Sequence, residues 1–183
     1  MESGSKKIYI AKSKTHGYGL FAKRDIKKGE TIFFIKGKKI KFFITDNKKA
    51  KVAGMDWIGV GKNEWRDPKN YYGSFFNHSC NPNSAIKSQL KVIALCNIKK
   101  EEEITFDYST TEADIFWQMR CYCREKKCRK IIKSIQFLPK NIFNKYKTNI
   151  PKYYRMVYNK YNYTRFSETK DFKKNWVEFL EQK

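Results

Sequence analysis

Apolar residues come in short bursts over the first forty positions. Ile8-Tyr9-Ile10 and Thr31-Ile32-Phe33-Phe34-Ile35 are interrupted by glycines at 17, 19, 29 and 37, which predicts strands joined by tight turns from Lys7 to Ile40 rather than helices. Asp56-Trp57-Ile58-Gly59-Val60-Gly61 predicts one further short strand, and Asp67-Pro68 a turn. Lys91 to Leu95 and Glu103 to Phe106 predict two more strands, separated by a turn rich in lysine and glutamate at Asn97 to Glu102. Strands this short and this frequent predict a mainly β (α+β) fold built of several small sheets. A βαβ nucleotide-binding fold would need long amphipathic helices between strands, and the chain has no glycine-rich phosphate loop.

The pattern changes after Cys128. Phe172, Trp176 and Phe179 stand at i, i+4 and i+7, which predicts a helix over Asp171 to Leu180 with one apolar face. Between these points, residues 139–166 carry many Tyr and Lys, are punctuated by Pro139 and Pro151, and show no dominant period. The chain thus divides into a β-rich body over 1–118, a cysteine segment over 119–134, and a basic, aromatic, partly helical C-terminal extension over 135–183.

Composition narrows the picture. At 183 residues and 40% hydrophobic content the chain suits one buried core, which 14 Phe, 12 Tyr and 4 Trp can fill with few side chains. No stretch approaches the roughly 20 apolar residues of a membrane span, and the N-terminus lacks a signal-peptide core, so a soluble, intracellular protein is expected. The formal net charge of +22 makes an anionic partner, nucleic acid included, an expectation. A general lysine bias in composition would give the same scattered cations.

Five cysteines is an odd number, and three of them lie close together, a poor layout for a disulfide framework. Cys121, Cys123 and Cys128 offer three soft ligands within eight residues, close enough to wrap one tetrahedral zinc. A fourth ligand is missing locally. Of the two remaining thiols, Cys80 follows His78 in a loop rich in Asn and Pro and is the better candidate. Cys96 ends an apolar strand and is expected to be a small core residue. Free thiols in a basic loop are the alternative. His78 and Cys80 also invite a base and nucleophile reading, but they stand at i, i+2 with no evident orienting carboxylate, which argues against a cysteine hydrolase. Glu103 and Asp107 fall on one face of a strand with no partner histidine nearby, so structural hydrogen bonding is expected of them. By themselves His16 reads as a surface residue and Tyr108 as a core or surface aromatic.

Four segments taken in order resemble the SET-domain family of protein lysine methyltransferases. They are His16-Gly17-Tyr18-Gly19-Leu20-Phe21 with Ile26-Lys27-Lys28-Gly29-Glu30; Phe76-Asn77-His78-Ser79-Cys80-Asn81-Pro82-Asn83; Glu103-Ile104-Thr105-Phe106-Asp107-Tyr108; and the CxCx4C run from Cys121 to Cys128, which is similar to a post-SET zinc segment. Over Thr105 to Pro139, with Ser109-Thr110-Thr111, Trp117 and Leu138-Pro139, the pattern looks closest to small bacterial and viral members. The resemblance implies a SET fold over 1–118, a post-SET zinc segment over 119–134, and S-adenosylmethionine as methyl donor. It implies that His16, Gly17 and Tyr18 hold this cofactor, that Asn77 and His78 hold its amino-acid and adenine ends, and that Tyr108 aligns donor and amine between the two channels. It also places Cys80 with Cys121, Cys123 and Cys128 around the zinc.

Two positions depart from the family pattern: Ile35 stands where many members have a tyrosine of the lysine channel, and Ser74 where an arginine is common. The function implied is transfer of methyl groups to a lysine of a protein, histone-like substrates and a nuclear or host-nuclear setting included. The second expectation, carried by Ile35, Ser74 and the charge, is a catalytically inactive SET-like module that binds nucleic acid or chromatin-like complexes.

Overall fold

The computed structural model describes residues 5–41, 57–115 and 117–161. Its strands are β1 (Ile8–Lys12), β2 (Tyr18–Ala22), β3 (Thr31–Phe34), β4 (Lys38–Lys41), β5 (Ile58–Gly61), β6 (Glu64–Asp67), β7 (Ser84–Lys87), β8 (Lys91–Ala94), β9 (Glu103–Ile104), β10 (Gln118–Arg120) and β11 (Ile131–Lys133). Helices α1 (Lys140–Tyr146) and α2 (Lys152–Tyr161) follow. The strands form four small sheets, ordered β1-β2-β9, β3-β8-β7, β4-β6-β5 and β10-β11, with every pairing antiparallel. The β1–β2 hairpin pairs Ile8 with Ala22 and Lys12 with Tyr18, and its loop contains Gly17 at φ +49°, a conformation that favours a residue without a Cβ.

The sheets are held together by one aliphatic and aromatic core. Ile8, Leu20, Val92, Ile98 and Ile104 are fully buried in it. Phe76 lies at its centre, with ring centroids 4.3 Å from Phe106 and 5.4 Å from Phe33. A second core forms where Ala113 and Ile115 meet Ile135, Leu138 and the inner faces of the helices; there Phe143 stacks on Tyr158 at 3.6 Å and 11°. Helix α2 turns Tyr154, Val157 and Tyr158 inward, an i, i+3, i+4 stripe, and begins just after Pro151, whose fixed φ suits a helix entrance.

Several expectations hold and others need correction. The strands expected near Ile8, Thr31, Ile58, Lys91 and Glu103 are present, although the last ends at Ile104 because Phe106 leaves the β9 ladder for a separate bridge to His78. Residues 139–161, where no period is visible, form two helices of 7 and 10 residues. A 3₁₀ turn at Lys147–Asn149 and Pro151 cut the apolar stripe into pieces too short to register. Cys96 is exposed rather than a core residue, because β8 ends at Ala94 and leaves Cys96 in the turn beyond it. The expected helix at Asp171 to Leu180 lies outside the described residues. Among the described residues no helix is long and apolar enough to cross a membrane.

Glu112 sits at the seam between the two cores. Part of the residue reaches solvent, but its carboxyl group is packed beside Tyr153 and Tyr154. Desolvation raises its pKa to about 7, although the amides of Asp114 and Ala113 donate to Oε1 at 2.7 Å each and favour the ionised form. The folded protein therefore holds this proton more tightly than the unfolded chain does. The resulting stabilisation, at most about 3 kcal/mol, is complete below about pH 4.5 and is lost as the pH rises through about 7. Glu112→Gln is expected to flatten the melting temperature between pH 5 and 7, on the order of the pKa range just given, when thermal unfolding is followed by circular dichroism. A wild-type slope that persists in this variant contradicts the assignment.

Candidate active site

A short parallel bridge brings the chemistry-bearing segments together. Phe106 N donates to Asn77 O and Ser79 N to Phe106 O, both at 3.1 Å, so His78 runs beside Phe106. Asn77, His78 and Cys80 are thereby fixed next to Asp107 and Tyr108, which are far away in sequence.

Asn77 is buried, and its side-chain amide is committed to the protein. Nδ2 donates to the carbonyls of His16 at 3.2 Å and Tyr18 at 3.1 Å, and to Glu103 Oε1 at 2.8 Å. Glu103 Oε2 accepts from Ser13 Oγ at 2.9 Å, which ties the same loop down from its other end. A Cβ on Gly19 would collide with the Glu103 carboxylate, so only glycine permits this close approach. The held loop leaves His16 and Gly17 exposed and the ring of Tyr18 61% exposed, with open space around the Gly17 Cα.

His78 is buried between two partners. Its Nδ1 accepts from Tyr108 N at 3.2 Å, so Nε2 carries the proton and donates to Cys80 Sγ at 3.4 Å. Desolvation lowers its pKa to about 4, against the opposing attraction of Asp107, and the ring is neutral at physiological pH. A carboxylate absent from the local sequence is present in space: Asp107 Oδ1 lies 3.7 Å from His78 Nδ1. With Nδ1 already an acceptor it has no proton to give Asp107, so the tautomer is wrong for a nucleophile–histidine–acid triad. Burial also pushes the Cys80 thiol upward, which disfavours the thiolate nucleophile. The hydrolase reading fails on both counts.

Tyr108 is half-buried, with its ring 5.3 Å from His78 and 4.8 Å from Phe106. Its hydroxyl donates to Phe76 O at 2.9 Å. Ile35 is 3% exposed and part of the main core, and Ser74 donates its hydroxyl to Pro68 O at 2.6 Å.

The thiols of Cys80 and Cys121 lie 3.7 Å apart. A tetrahedral zinc with bonds of about 2.3 Å sets its sulfurs roughly 3.8 Å apart, so this spacing fits the metal. Ligand atoms of His78, Cys80, Cys121 and Cys123 all lie within 4.8 Å of one another. Cys128 belongs to the same buried cluster, with Sγ 3.9 Å from Cys121 O and accepting from Lys130 N at 3.4 Å. The group within this reach is therefore His78, Cys80, Cys121 and Cys123, with Cys128 packed against it, and the two ring nitrogens of His78 are already engaged by Tyr108 N and Cys80 Sγ.

Arg129 is the main site residue that the sequence conceals. Its side chain is 13% exposed, and it donates through Nη2 to Asp107 Oδ1 at 2.6 Å, through Nη1 to Ser109 Oγ at 3.2 Å, and through Nε to Cys80 Sγ at 3.4 Å. Asp107, only 1% exposed, also accepts from Ser109 N at 3.1 Å. Arg129 follows Cys128 in a run with Arg124, Lys126, Lys127 and Lys130, and nothing in that run sets it apart.

Comparison with known proteins agrees with this fold. The SET domain family matches residues 17–109, and the chain belongs to that family. A variant-silencing SET domain-containing protein of Plasmodium falciparum (isolate 3D7) is 30% identical over 171 residues, covering 76% of this chain and 7% of that protein. A histone-lysine N-methyltransferase specific for H3 lysine-36 from Candida glabrata is 32% identical over 135 residues, 66% of this chain and 19% of its own length. The chain therefore spans a small part of these curated relatives. Among solved structures, KRYPTONITE in complex with mCHG DNA and SAH shares the fold at a TM-score of 0.54 and 20% identity, over 68% of this chain and 28% of that one.

Two measurements test the site. Arg129→Met leaves Asp107 buried without its counter-charge and is expected to cost about 3–5 kcal/mol in urea unfolding; a loss below about 1 kcal/mol would place the pair in solvent-like surroundings. Purified protein is expected to carry about one zinc per chain by elemental analysis, and its removal with a chelator should lower the melting temperature. A metal-free preparation with an unchanged melting temperature contradicts the centre.

Proposed function

We propose that this chain is an S-adenosylmethionine-dependent methyltransferase acting on a lysine side chain of a protein. The observation that carries the reading is the convergence of three distant segments on one spot: the exposed His16–Tyr18 loop held by Asn77, the buried His78, and the Tyr108 hydroxyl bonded to Phe76 O. The open backbone at Gly17 beside an exposed aromatic ring suits a flat, polar cofactor, and His16, Gly17, Tyr18 and the backbone at Asn77 and His78 would hold it. When bound, that cofactor supplies an electrophilic methyl group on a sulfonium.

The chain's own residues then have three tasks. The His16–Tyr18 loop keeps its shape because Asn77 and Glu103 occupy its inner hydrogen-bonding groups. Tyr108, whose proton is engaged by Phe76 O, orients an incoming amine and so aligns rather than deprotonates. The amine must arrive neutral, and an apolar surrounding of Phe76 and Phe106 favours that form by desolvation. Cys80, Cys121, Cys123 and Cys128 hold zinc, which fastens residues 119–134 as a post-SET segment against Tyr108 and Trp117. Residues 1–118 form the SET unit and 135–183 a C-terminal extension. Basic, histone-like proteins are the proposed substrates and the nucleus the proposed setting, supported by relatives that carry the name histone-lysine N-methyltransferase.

Radiolabelled cofactor with a panel of basic proteins is expected to label lysine. Tyr108→Phe should keep the melting temperature and cofactor affinity while labelling falls about a hundredfold. Unchanged turnover removes Tyr108 from its role, and absence of cofactor binding by calorimetry defeats the reading as a whole.

A further inference from the structure

From Lys126 to Ser167 the sequence contains no aspartate and no glutamate. Elsewhere in the fold cations meet carboxylates: Lys7 and Arg24 pair with Glu30, Lys41 with Glu64, and Lys99 with Asp25. The two helices themselves carry no carboxylate side chain. Lys152, Arg155, Met156, Asn159 and Lys160 stand at i, i+3, i+4, i+7 and i+8 along α2, opposite the buried Tyr154, Val157 and Tyr158. Lys140, Asn141, Asn144 and Lys145 are exposed on α1, and Lys147 and Thr148 on the turn between them. Arg155 Nη1 donates to Lys147 O at 3.3 Å, which fixes its head beside that turn. The result is a continuous outer face of ammonium, guanidinium, amide and hydroxyl donors.

The chemistry of this face points to phosphate. Ten helical residues span about 15 Å, a length over which duplex DNA carries roughly nine phosphate charges. Single-stranded nucleic acid would call for exposed aromatic platforms. Here Phe143, Tyr146, Tyr154 and Tyr158 are turned inward, and the exposed large apolar side chain on these helices is Met156, 59% exposed. Lys145 Nζ lies 3.5 Å from Asn81 Oδ1, so the face adjoins the loop that carries His78 and Cys80.

We propose that the outer face of α1, the Lys147–Asn149 turn and α2 binds the phosphate backbone of duplex DNA without reading its sequence. This does not depend on the methyl-transfer reading, and its test needs no turnover. The probe is a fluorescent random-sequence duplex titrated with the full chain across a salt series. With Lys140, Lys145, Lys147, Lys152 and Arg155 engaged, log K is expected to fall with log salt at a slope of about −4.5. Lys145→Gln, Lys147→Gln and Arg155→Gln together should reduce the slope by about 3 and weaken binding at low salt at least about tenfold.

Lys145→Arg with Lys147→Arg keeps the charge and should bind as the wild type does. Removing the same charge from β4 and the turn after β6 through Lys38→Gln, Lys39→Gln and Lys69→Gln should change affinity less than about twofold, since those sites make no phosphate contact. Equal losses from both triple variants would mean that charge acts diffusely, and would overturn the proposal. So would tighter binding to single-stranded DNA or RNA than to the duplex.

Discussion

Two backbone hydrogen bonds, from Phe106 N to Asn77 O and from Ser79 N to Phe106 O, hold the site in place. Each is an ordinary bond worth about 1 kcal/mol net. Their importance is geometric, because a one-residue slip would turn His78 away from Tyr108 and Cys80 away from Cys121. Phe76 and Phe106 flank this bridge and pack ring against ring at a tilt of 33° in the core, so the apolar packing that stabilises the fold also sets the register of the polar residues. Stability and chemistry share the same few side chains.

Behind the bridge lies a buried electrostatic knot. Asp107 is nearly inaccessible and is balanced by Arg129, while His78 beside it stays neutral because desolvation outweighs the attraction of that carboxylate. A neutral His78 can accept from the Tyr108 amide, and a protonated one could not. Arg129 touches Asp107, Ser109 and Cys80 together, so it couples the cysteine segment to the loop that presents Tyr108. Removal of any one of these groups would disturb the protonation or placement of the others.

The strands were legible because glycines punctuate the apolar bursts and each strand shows itself within four or five residues. The motif order singled out the cysteines and Tyr108, and in the structure Cys80, Cys121 and Cys123 lie together with His78 while Cys128 and Tyr108 pack against that cluster. Helices α1 and α2 were not, since a tyrosine- and lysine-rich stretch broken at 147–151 never sustains two turns of one apolar stripe. Cys96 was misread because an apolar strand was followed one residue too far. Arg129 and the nearness of Asp107 to His78 were hidden for a different reason. Both depend on chain segments separated by more than twenty residues, and local pattern carries no record of such meetings.

The contact between Cys80 and Cys121 joins positions 41 apart in the chain. Closing a flexible loop of that length costs about 3 kcal/mol of chain entropy, and a metal that binds only the closed form holds that loop shut. Loaded with metal, the cysteine cluster would work as a reversible crosslink, less permanent than a disulfide and sensitive to metal supply instead of oxidants. In a cell, the amount of this chain that survives proteolysis would follow available zinc, because the stretch between the two thiols includes Asp107, Tyr108 and the seam at Glu112.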